Sequence, residues 1–325
     1  MKIDSNLTVI ICNYNHGKFV NTLIQSILSQ TLKPTKIIII DDGSTDISHE
    51  ELKKYINNDL FEIILNFKNK GVIYRMNQAL KLVKTEYFMV YGADDLIVNK
   101  NALEISINSL NHHKKAGLSS ALVCELNNNF TLKQIIKTPI ISSNIKFFSP
   151  KETIKEFEKY GLFINGHLTI IRTECFKKTV TNYPYLDQMT DICAFYCIGI
   201  NYGTVFIPRI LGGYRFQEDS GYASLKFKNQ FNTYKNIIEM FKIIKEKNYH
   251  NFNLNKLIKI IKLNAKLFFF KKKIISSYCK INFFSKFLIN LKFSMYFISL
   301  DKLYFLRYIR YKFKYFFFNE KFKIL

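Results

Sequence analysis

The stretch Tyr87-Phe-Met-Val-Tyr-Gly-Ala-Asp-Asp95 decides the fold, because an apolar run long enough for one buried strand ends abruptly in two acids. Carboxylates just past the carboxyl end of a strand are found where an open α/β sheet places its ligand. Adjacent carboxylates repel each other unless a cation joins them, and hard divalent cations prefer oxygen ligands. Asp94 and Asp95 are therefore predicted to hold a divalent metal, which in turn would carry a phosphate-bearing substrate.

Strand and helix patterns alternate on both sides of this stretch. Short apolar runs at 7–12, 36–40 and 61–65 are typical of buried strands, and residues 16–30 and 71–83 carry apolar side chains at helical spacing. Continuous apolar strands separated by amphipathic helices predict an α/β fold with a mostly parallel sheet and helices on both faces. The further predicted elements are strands at 121–126, 167–171, 204–207 and 211–216, and a helix at 190–200.

Polar residues follow four of the predicted strands, and in an open α/β sheet the ligand crevice lies outside the carboxyl ends of the strands. These residues are Asn13-Tyr14-Asn15, Asp41-Asp42, the region of Asn66, and Asp94-Asp95. An edge lined by acids, amides and a phenol suits a nucleotide, on which Tyr14 would stack. The chain contains neither Gly-x-Gly-x-x-Gly nor Gly-x-x-x-x-Gly-Lys-Ser/Thr, which argues against a dinucleotide-binding fingerprint and against a P-loop.

These segments, in this order and spacing, resemble the inverting family-2 glycosyltransferases with the GT-A fold. The resemblance covers residues 7 to about 216, and it implies a GT-A domain over residues 1–225 with a nucleotide half at about 1–115 and an acceptor half at about 116–225. The matching segments are Val9-Ile-Ile-Cys-Asn-Tyr-Asn15, Ser26-Ile-Leu-Ser-Gln-Thr31, Ile39-Ile-Asp-Asp-Gly-Ser-Thr-Asp46, the run from Gly71 to Asn77, and Gly92-Ala-Asp-Asp95.

The activity that this resemblance implies is transfer of a sugar, with inversion, from a nucleotide-sugar donor that is expected to be UDP-linked. The acceptor would be a hydroxyl of a glycan or lipid-linked glycan, in surface polysaccharide or lipooligosaccharide synthesis. Cys12 (through its backbone), Tyr14 and Asp42 would hold the nucleobase and the ribose. Arg75 and Asn77 would lie on the helix that faces the diphosphate.

The resemblance also implies a divalent metal, Mn²⁺ or Mg²⁺, at the acidic pair. Asp95 would bind the metal, and Asp94 would contact the metal or the ribose. The metal would stabilise the charge that collects on the diphosphate as the glycosyl bond breaks. Many family members carry Asp-x-Asp here, and this chain departs from them with Gly92 at the first position.

Inversion requires a base that takes the proton from the attacking hydroxyl. The family places an acid at the start of a helix late in the domain, and the matching context is Tyr185-Leu-Asp-Gln-Met-Thr-Asp191. Asp191 is therefore the expected base and Asp187 the alternative. Contacts with the donor sugar or the acceptor are expected from Gly166, His167, Tyr214 and Arg215.

Structural roles compete with several of these assignments. Asp41 and Asp42 are also suited to capping the helix that follows them, and Asp191 to capping its own helix. Arg75 is alternatively a solvated charge on a helix, and His167 an ordinary structural histidine.

The last hundred residues differ from the rest of the chain. The formal net charge is +23, and residues 226–325 hold 23 Lys and Arg against 4 Asp and Glu, with an excess of Phe and Tyr. They are predicted to form a basic, aromatic-rich helical region. A solvated surface, a nucleic-acid site and a membrane-attachment site are the three interpretations. The basic and aromatic mixture favours an anionic membrane, where each Lys or Arg contributes about 1 kcal/mol. No nucleic acid is expected, because no nucleic-acid-binding motif is present.

The expected location is cytoplasmic, with the protein peripheral on the inner face of the plasma membrane. No signal peptide or membrane-spanning run is visible, and the six cysteines show no paired spacing, which is typical of free thiols in a reducing compartment. A non-enzymatic alternative is a catalytically inactive adaptor with the GT-A fold that binds membrane or nucleic acid through its basic C-terminal region.

Overall fold

The computed structural model describes residues 5–135, 139–160, 163–180 and 190–215, together with Lys242. At 133–135, 180 and 190–193 only the backbone is described. The predicted boundary at residue 225 lies outside the described residues, and so does the predicted basic helical region at 226–325 apart from Lys242.

Ten strands and seven helices make up the described part of the chain. The strands are β1 (Leu7–Asn13), β2 (Lys36–Asp41), β3 (Phe61–Leu65), β4 (Tyr87–Gly92), β5 (Leu96–Ile97), β6 (Leu118–Leu126), β7 (Leu132–Ile135), β8 (Lys146–Phe148), β9 (Thr169–Arg172) and β10 (Thr204–Arg215). The helices are α1 (Gly17–Leu28), α2 (Ser48–Lys53), α3 (Val72–Leu80), α4 (Ala102–His112), α5 (Pro150–Tyr160), α6 (Thr173–Val180) and α7 (Thr190–Tyr202).

All ten strands belong to one sheet, in the order β3-β2-β1-β4-β9-β6-β10-β5, with β7 beside β6 and β8 beside β10. The first four strands of this order are parallel to one another, and so are β6 and β10. Strand β9 runs antiparallel between β4 and β6 and joins the two halves of the sheet. The predicted α/β fold class is confirmed, and the antiparallel joint is a feature that the apolar patterns did not reveal.

The core lies on both faces of the parallel strands. Val9 and Ile11 of β1 share a fully buried cluster with Leu23 of α1 and Ile107 of α4. Ile10, between them in the sequence, is equally buried but points to the opposite face, because side chains alternate along a strand. Helix α3 packs against β1 and β2. Continuous apolar strands are therefore explained by helices on both sides.

Strand β10 corrects one prediction. Residues 204–207 and 211–216 were expected to form two short strands, but β10 is continuous from Thr204 to Arg215. Its pairing with β6 shifts register between Ile207 and Ile210 and again before Gly212. Pro208 lies in the first shift, where its missing N–H removes a ladder hydrogen bond and a bulge absorbs the loss. The strand therefore continues to the edge where the polar residues gather.

The described residues were compared with the expectations for the cysteines and for membrane-spanning helices. Among the described residues, Cys12, Cys124, Cys175 and Cys197 form no disulfide. The side chain of Cys193 and all of Cys279 lie outside the described part. Within the residues that the structure describes, no helix combines the length and the apolar character needed to cross a bilayer.

Candidate active site

The strands that carry the predicted site end together. In the register of the sheet, Cys12 near the end of β1 lies between Ile40 of β2 and Gly92 of β4. The backbone N–H of Asp42 donates to the carbonyl of Asn13 at 2.8 Å and extends the β1–β2 ladder by one residue. The polar residues that follow β1, β2 and β4 therefore meet at one edge of the sheet, which we call the carboxyl edge.

Asp41 ends β2 and is fully buried. Its carboxylate accepts hydrogen bonds from Asn13 Nδ2 at 2.6 Å and from the backbone N–H and hydroxyl of Ser44 at 2.8 and 2.6 Å. Asp41 therefore fixes the loop after β2. An N–H in the first turn of α2 donates to Asp46 instead, so neither Asp41 nor Asp42 caps that helix.

Asp42 is held by the loop between β3 and α3. Its carboxylate accepts hydrogen bonds from the backbone N–H groups of Lys70 and Gly71, both at 2.8 Å, and from Arg75 Nε at 2.7 Å. Both members of this ion pair are buried, so Arg75 is not a solvated helical charge. Arg75 also donates to Asn66 Oδ1 at 2.9 Å. The contacts of Asp42 with nucleobase and ribose, and of Arg75 with the diphosphate, stay predictions.

Breaking this ion pair should destabilise the fold. Arg75→Met would leave the Asp42 carboxylate buried without its cation, and removing one member of a buried pair costs about 3–5 kcal/mol. We expect the free energy of unfolding in urea to fall by about 3 kcal/mol. Lys54→Met is the matched control, because Lys54 pairs with Glu51 at the surface, where an ion pair contributes at most about 1 kcal/mol. Equal losses in the two variants would contradict a structural role for the buried pair.

The remaining nucleotide-half predictions fall at different places on the carboxyl edge. Tyr14 is 44% exposed, so its ring is open to a stacking partner. Cys12 is partly buried within the sheet. Asn77 is exposed and lies two residues beyond Arg75 on α3, a spacing at which side chains leave a helix in different directions. Asn77 therefore leaves α3 in a different direction from Arg75, and its role toward the diphosphate stays a prediction.

The two predicted metal ligands converge above Gly92. The backbone N–H of Asp95 donates to the carbonyl of Gly92 at 3.1 Å, which turns the chain back over the end of β4. A Cβ built on Gly92 would lie 2.9 Å from Asp95 Oδ2 and 3.2 Å from Asp94 Oδ1. These two oxygens therefore face one common space, and the absence of a side chain at Gly92 leaves that space open.

Arg215, the last residue of β10, braces the other oxygens of the same pair. Its backbone N–H donates to Asp95 Oδ1 at 3.3 Å, and its Nη2 donates to Asp94 Oδ2 at 3.4 Å. The side chain is fully buried, and the guanidinium carbon lies 3.3 Å from the ring centroid of Phe19. Arg215 thus orients the aspartates, and its contact with the donor sugar or the acceptor stays a prediction.

His167 provides the partner of Asp95. His167 Nδ1 lies 2.9 Å from Asp95 Oδ2, and its ring stacks on Tyr214 with centroids 5.2 Å apart. The hydroxyl of Tyr214 donates to Glu125 Oε2 at 3.3 Å. Burial, and then the charge of Glu125, raise the pKa of the Tyr214 phenol, so it stays a donor at neutral pH. Glu125 was not predicted, because a single acid near the end of an apolar strand lacks the adjacent carboxylate that marked Asp94 and Asp95.

The backbone beside His167 adopts a conformation rare for its residue type. Leu168 has φ of 53° and is fully buried, and Gly166 immediately before His167 is partly exposed. Left-handed φ at a bulky residue is costly and occurs mainly at functional sites. A Cβ on Gly212 would lie 3.2 Å from Leu168 Cβ and 2.6 Å from the Tyr91 hydroxyl, so a glycine there makes room for the turn that presents His167.

The electrostatics of the acidic pair favour a bound cation. Burial, and then the neighbouring Asp95 carboxylate, raise the pKa of Asp94 above its usual range, against the opposing effects of His16 and Arg215. His16 Nε2 lies 3.9 Å from Asp94 Oδ1. Two carboxylates that are kept out of water and close together are stabilised when a positive charge occupies the space between them.

The donor set fits a hard divalent metal. Among the described residues, no group of three or more His, Cys, Asp and Glu forms a complete metal cage. Two convergent carboxylate oxygens are instead the ligands that Mg²⁺ prefers in sites where waters and substrate phosphates complete the coordination. The open space above Gly92 is bounded by such oxygens, so Asp94 and Asp95 are suited to hold Mn²⁺ or Mg²⁺ together with a diphosphate.

Filling that space should weaken metal binding selectively. In Gly92→Ala the added methyl would force Asp95 Oδ2 to move, because 2.9 Å is shorter than a Cβ contact allows. We expect the affinity for Mn²⁺ in the presence of UDP to fall at least about 10-fold, the lower bound for disturbing the support of metal ligands. Calorimetric titration measures this, and the melting temperature without metal serves as the folding control. An unchanged Mn²⁺ affinity would rule out this space as the metal site.

Asp191 is the second residue of α7, so the predicted helix start is confirmed. The side chain of Asp191 and all of Asp187 lie outside the described residues, and the assignment of the base stays a prediction.

Comparison with known proteins decides the family. The family model described as glycosyl transferase family 2 matches residues 8–179. The chain belongs to glycosyl transferase family 2. The cholesterol galactosyltransferase of Borreliella burgdorferi is 36% identical over 102 residues, which are 31% of this chain and 28% of that protein. Glycosyltransferase GlyG of Streptococcus pneumoniae is 34% identical over 99 residues, which are 30% of this chain and 33% of that protein. The chain thus spans a third or less of the length of these two relatives.

Solved structures share the fold of this chain. The structure of residues 1–349 of S. aureus TarS in complex with UDP-GlcNAc has a TM-score of 0.62 at 16% identity, covering 86% of this chain and 77% of that one. The mannosyltransferase PcManGT from Pyrobaculum calidifontis, in complex with GDP-Man and Mn²⁺, has a TM-score of 0.55 at 14% identity, covering 90% and 81%. At these identities the likeness shows a shared fold. The chain of this family-2 protein therefore has the α/β fold of two proteins whose structures contain bound nucleotide sugars.

Proposed function

We propose that this family-2 glycosyltransferase moves one sugar, with inversion, from a UDP-linked donor to a hydroxyl of a glycan or lipid-linked glycan, with Mn²⁺ or Mg²⁺ as cofactor. The observation that carries the proposal is the convergence of Asp94 Oδ1 and Asp95 Oδ2 on one open space, with Arg215 bracing their other oxygens. That arrangement is suited to hold a metal and diphosphate at the edge where nucleotides bind in α/β sheets.

Each residue of the site would have a separate task. When bound, the metal would neutralise the charge that develops on the departing diphosphate. Tyr14 would stack on the base, and Asp42 and the backbone of Cys12 would hold the nucleobase and the ribose. Asp191 would accept the proton of the acceptor hydroxyl as its oxygen attacks the anomeric carbon. Attack from the face opposite the departing diphosphate inverts the configuration at that carbon.

A lipid-linked acceptor and a membrane location are part of the proposal. One relative is by its name a cholesterol galactosyltransferase, which acts on a lipid acceptor. Residues 226–325 carry 23 basic against 4 acidic side chains, a charge suited to an anionic inner leaflet. The protein would then work on the cytoplasmic face of the plasma membrane, where nucleotide sugars and lipid acceptors meet, in surface polysaccharide or lipooligosaccharide synthesis.

A thermal-shift panel of nucleotide sugars, with and without Mn²⁺, tests the proposal. We expect one UDP-sugar to raise the melting temperature of the full chain only when Mn²⁺ is present, because ligand that binds the folded state stabilises it in proportion to ln(1 + [L]/Kd). Release of UDP when a matching acceptor is added would then follow. Failure of every nucleotide to shift the melting temperature would favour the inactive adaptor instead.

A further inference from the structure

The loop between β3 and α3 presents one fully exposed aromatic residue. Phe67 is 100% exposed, and we call residues 66–71 the Phe67 loop. A phenyl ring that is wholly exposed to water gains no stabilisation from burial, and contiguous exposed apolar groups mark interaction sites. Val72 and Tyr74, just beyond the loop, are 48% and 51% exposed. These three exposed apolar residues lie within eight consecutive positions of the sequence, and we call them the patch.

The Phe67 loop is held firmly, so its exposure is not the result of a loosely placed segment. The carbonyl of Lys68 accepts a hydrogen bond from Arg75 Nη2 at 2.7 Å, and the N–H groups of Lys70 and Gly71 donate to Asp42 at 2.8 Å. Asn66 Nδ2 donates to the carbonyl of Asp41 at 2.7 Å. Both ends of the loop are thus fixed to buried acids, and the fold presents Phe67 outward in a defined position.

The residues around Phe67 carry positive charge. Phe67 is flanked by Lys68 and Lys70, both exposed, and Lys70 Nζ lies 4.7 Å from the ring centroid of Tyr74. Residues 66–74 contain no acid. Aromatic rings beside lysines are typical of segments that lie at the headgroup level of anionic bilayers, where the ring enters the acyl boundary and the ammonium groups stay among the phosphates.

We propose that the Phe67 loop inserts into an anionic lipid bilayer and places the carboxyl edge of the sheet against the membrane. Phe67 follows β3 at the same edge as Asp42, Asp94 and Asp95, so insertion here would orient the donor site toward the lipid surface. The inference deepens the proposed function, because it rests on an acceptor that lies at the membrane. It does not depend on residues 226–325.

The chain offers a sensitive test, since it contains no tryptophan. Phe67→Trp places a single reporter in the loop of the full-length protein, and Ile56→Trp is the matched control. Ile56 is 49% exposed and precedes β3, so it lies at the opposite edge of the sheet. Both variants are mixed with vesicles of phosphatidylglycerol and phosphatidylcholine, with vesicles of phosphatidylcholine alone, and with vesicles whose acyl chains carry bromine.

We expect the emission of Trp at 67, but not at 56, to move to shorter wavelength on anionic vesicles and to be quenched by the brominated chains. Lys68→Ala and Lys70→Ala in the same background should each weaken vesicle partition about fivefold, and high salt should weaken it further. Failure of the protein to bind anionic vesicles, or binding without a change at position 67, would overturn the proposal. An equal change at both positions would do the same.

The same variants test two other partners, a nucleotide and a nucleic acid. A spectral change at position 67 caused by UDP and Mn²⁺ without lipid would assign the patch to the nucleotide and overturn membrane insertion. A change caused by single-stranded RNA but not by anionic vesicles would assign it to nucleic acid. The thermal shift of Phe67→Trp by UDP-sugar is measured in parallel and distinguishes the two proposals. A retained thermal shift without a lipid signal would overturn the membrane contact alone and would leave the proposed transferase function unaffected.

Discussion

Replacing Asp95 by Asn is expected to lower the rate of sugar transfer by roughly 10²–10³-fold, the loss seen when one electrostatic group that stabilises a developing anion is removed. The amide keeps the shape of the carboxylate but removes a full negative charge from the space above Gly92. His167 Nδ1 and the backbone N–H of Arg215 would then face a neutral amide instead of a carboxylate. A cation bound there would then be held weakly, and the charge on the departing diphosphate would be less well neutralised.

The measurement is release of UDP from the donor, followed as a function of Mn²⁺ concentration. Asp95→Asn should require much more Mn²⁺ and should not reach the normal maximum rate, whereas its melting temperature without metal should stay close to normal. Asp59→Asn is the matched control, because Asp59 is exposed just before β3 at the far edge of the sheet. Asp95→Asn could instead show normal Mn²⁺ dependence and a rate within about threefold of normal, far short of the expected loss. That result would remove the acidic pair from the mechanism.

Asp191→Asn should lower transfer by about 10²–10⁴-fold, the usual contribution of a positioned general base. Donor binding should survive, since Asp191 lies on α7 and not among the residues that follow β1, β2 and β4. The expected signature is thus a large fall in kcat with an unchanged thermal shift by UDP-sugar and Mn²⁺. The pH profile should also lose the limb that reports ionisation of the base.

Asp187→Asn separates the two candidates for the base. Asp187 lies three residues before the start of α7, and its variant is measured in the same assay. Normal transfer in Asp191→Asn together with a large loss in Asp187→Asn would move the base to position 187. Normal transfer in both variants would mean that neither aspartate takes the proton.

Local patterns were sufficient to predict the carboxyl edge. Apolar runs that stop at polar residues gave the ends of β1, β2 and β4 to within a residue or two, because strand length and turn chemistry are encoded within a few positions. The order of those ends then followed from parallel topology. For this reason Asp42, Asp94 and Asp95 were correctly expected to lie along one edge.

The partners of those acids were harder to predict, because they come from distant parts of the chain. Arg215 is separated from Asp94 by 121 residues and His167 from Asp95 by 72. Nothing in the periodicity of residues 204–216 shows that the guanidinium would be buried against Phe19.

The long separation between the acidic pair and Arg215 has a consequence for biogenesis. A ribosome adds about 5–20 residues per second, so Asp94 and Asp95 leave it on the order of ten seconds before Arg215 is made. During that interval the nascent first half can form its parallel strands, but its two neighbouring acids lack their guanidinium clamp. The braced acidic pair is thus a late product of translation, and the proposed metal site is complete only after β10 has emerged and docked.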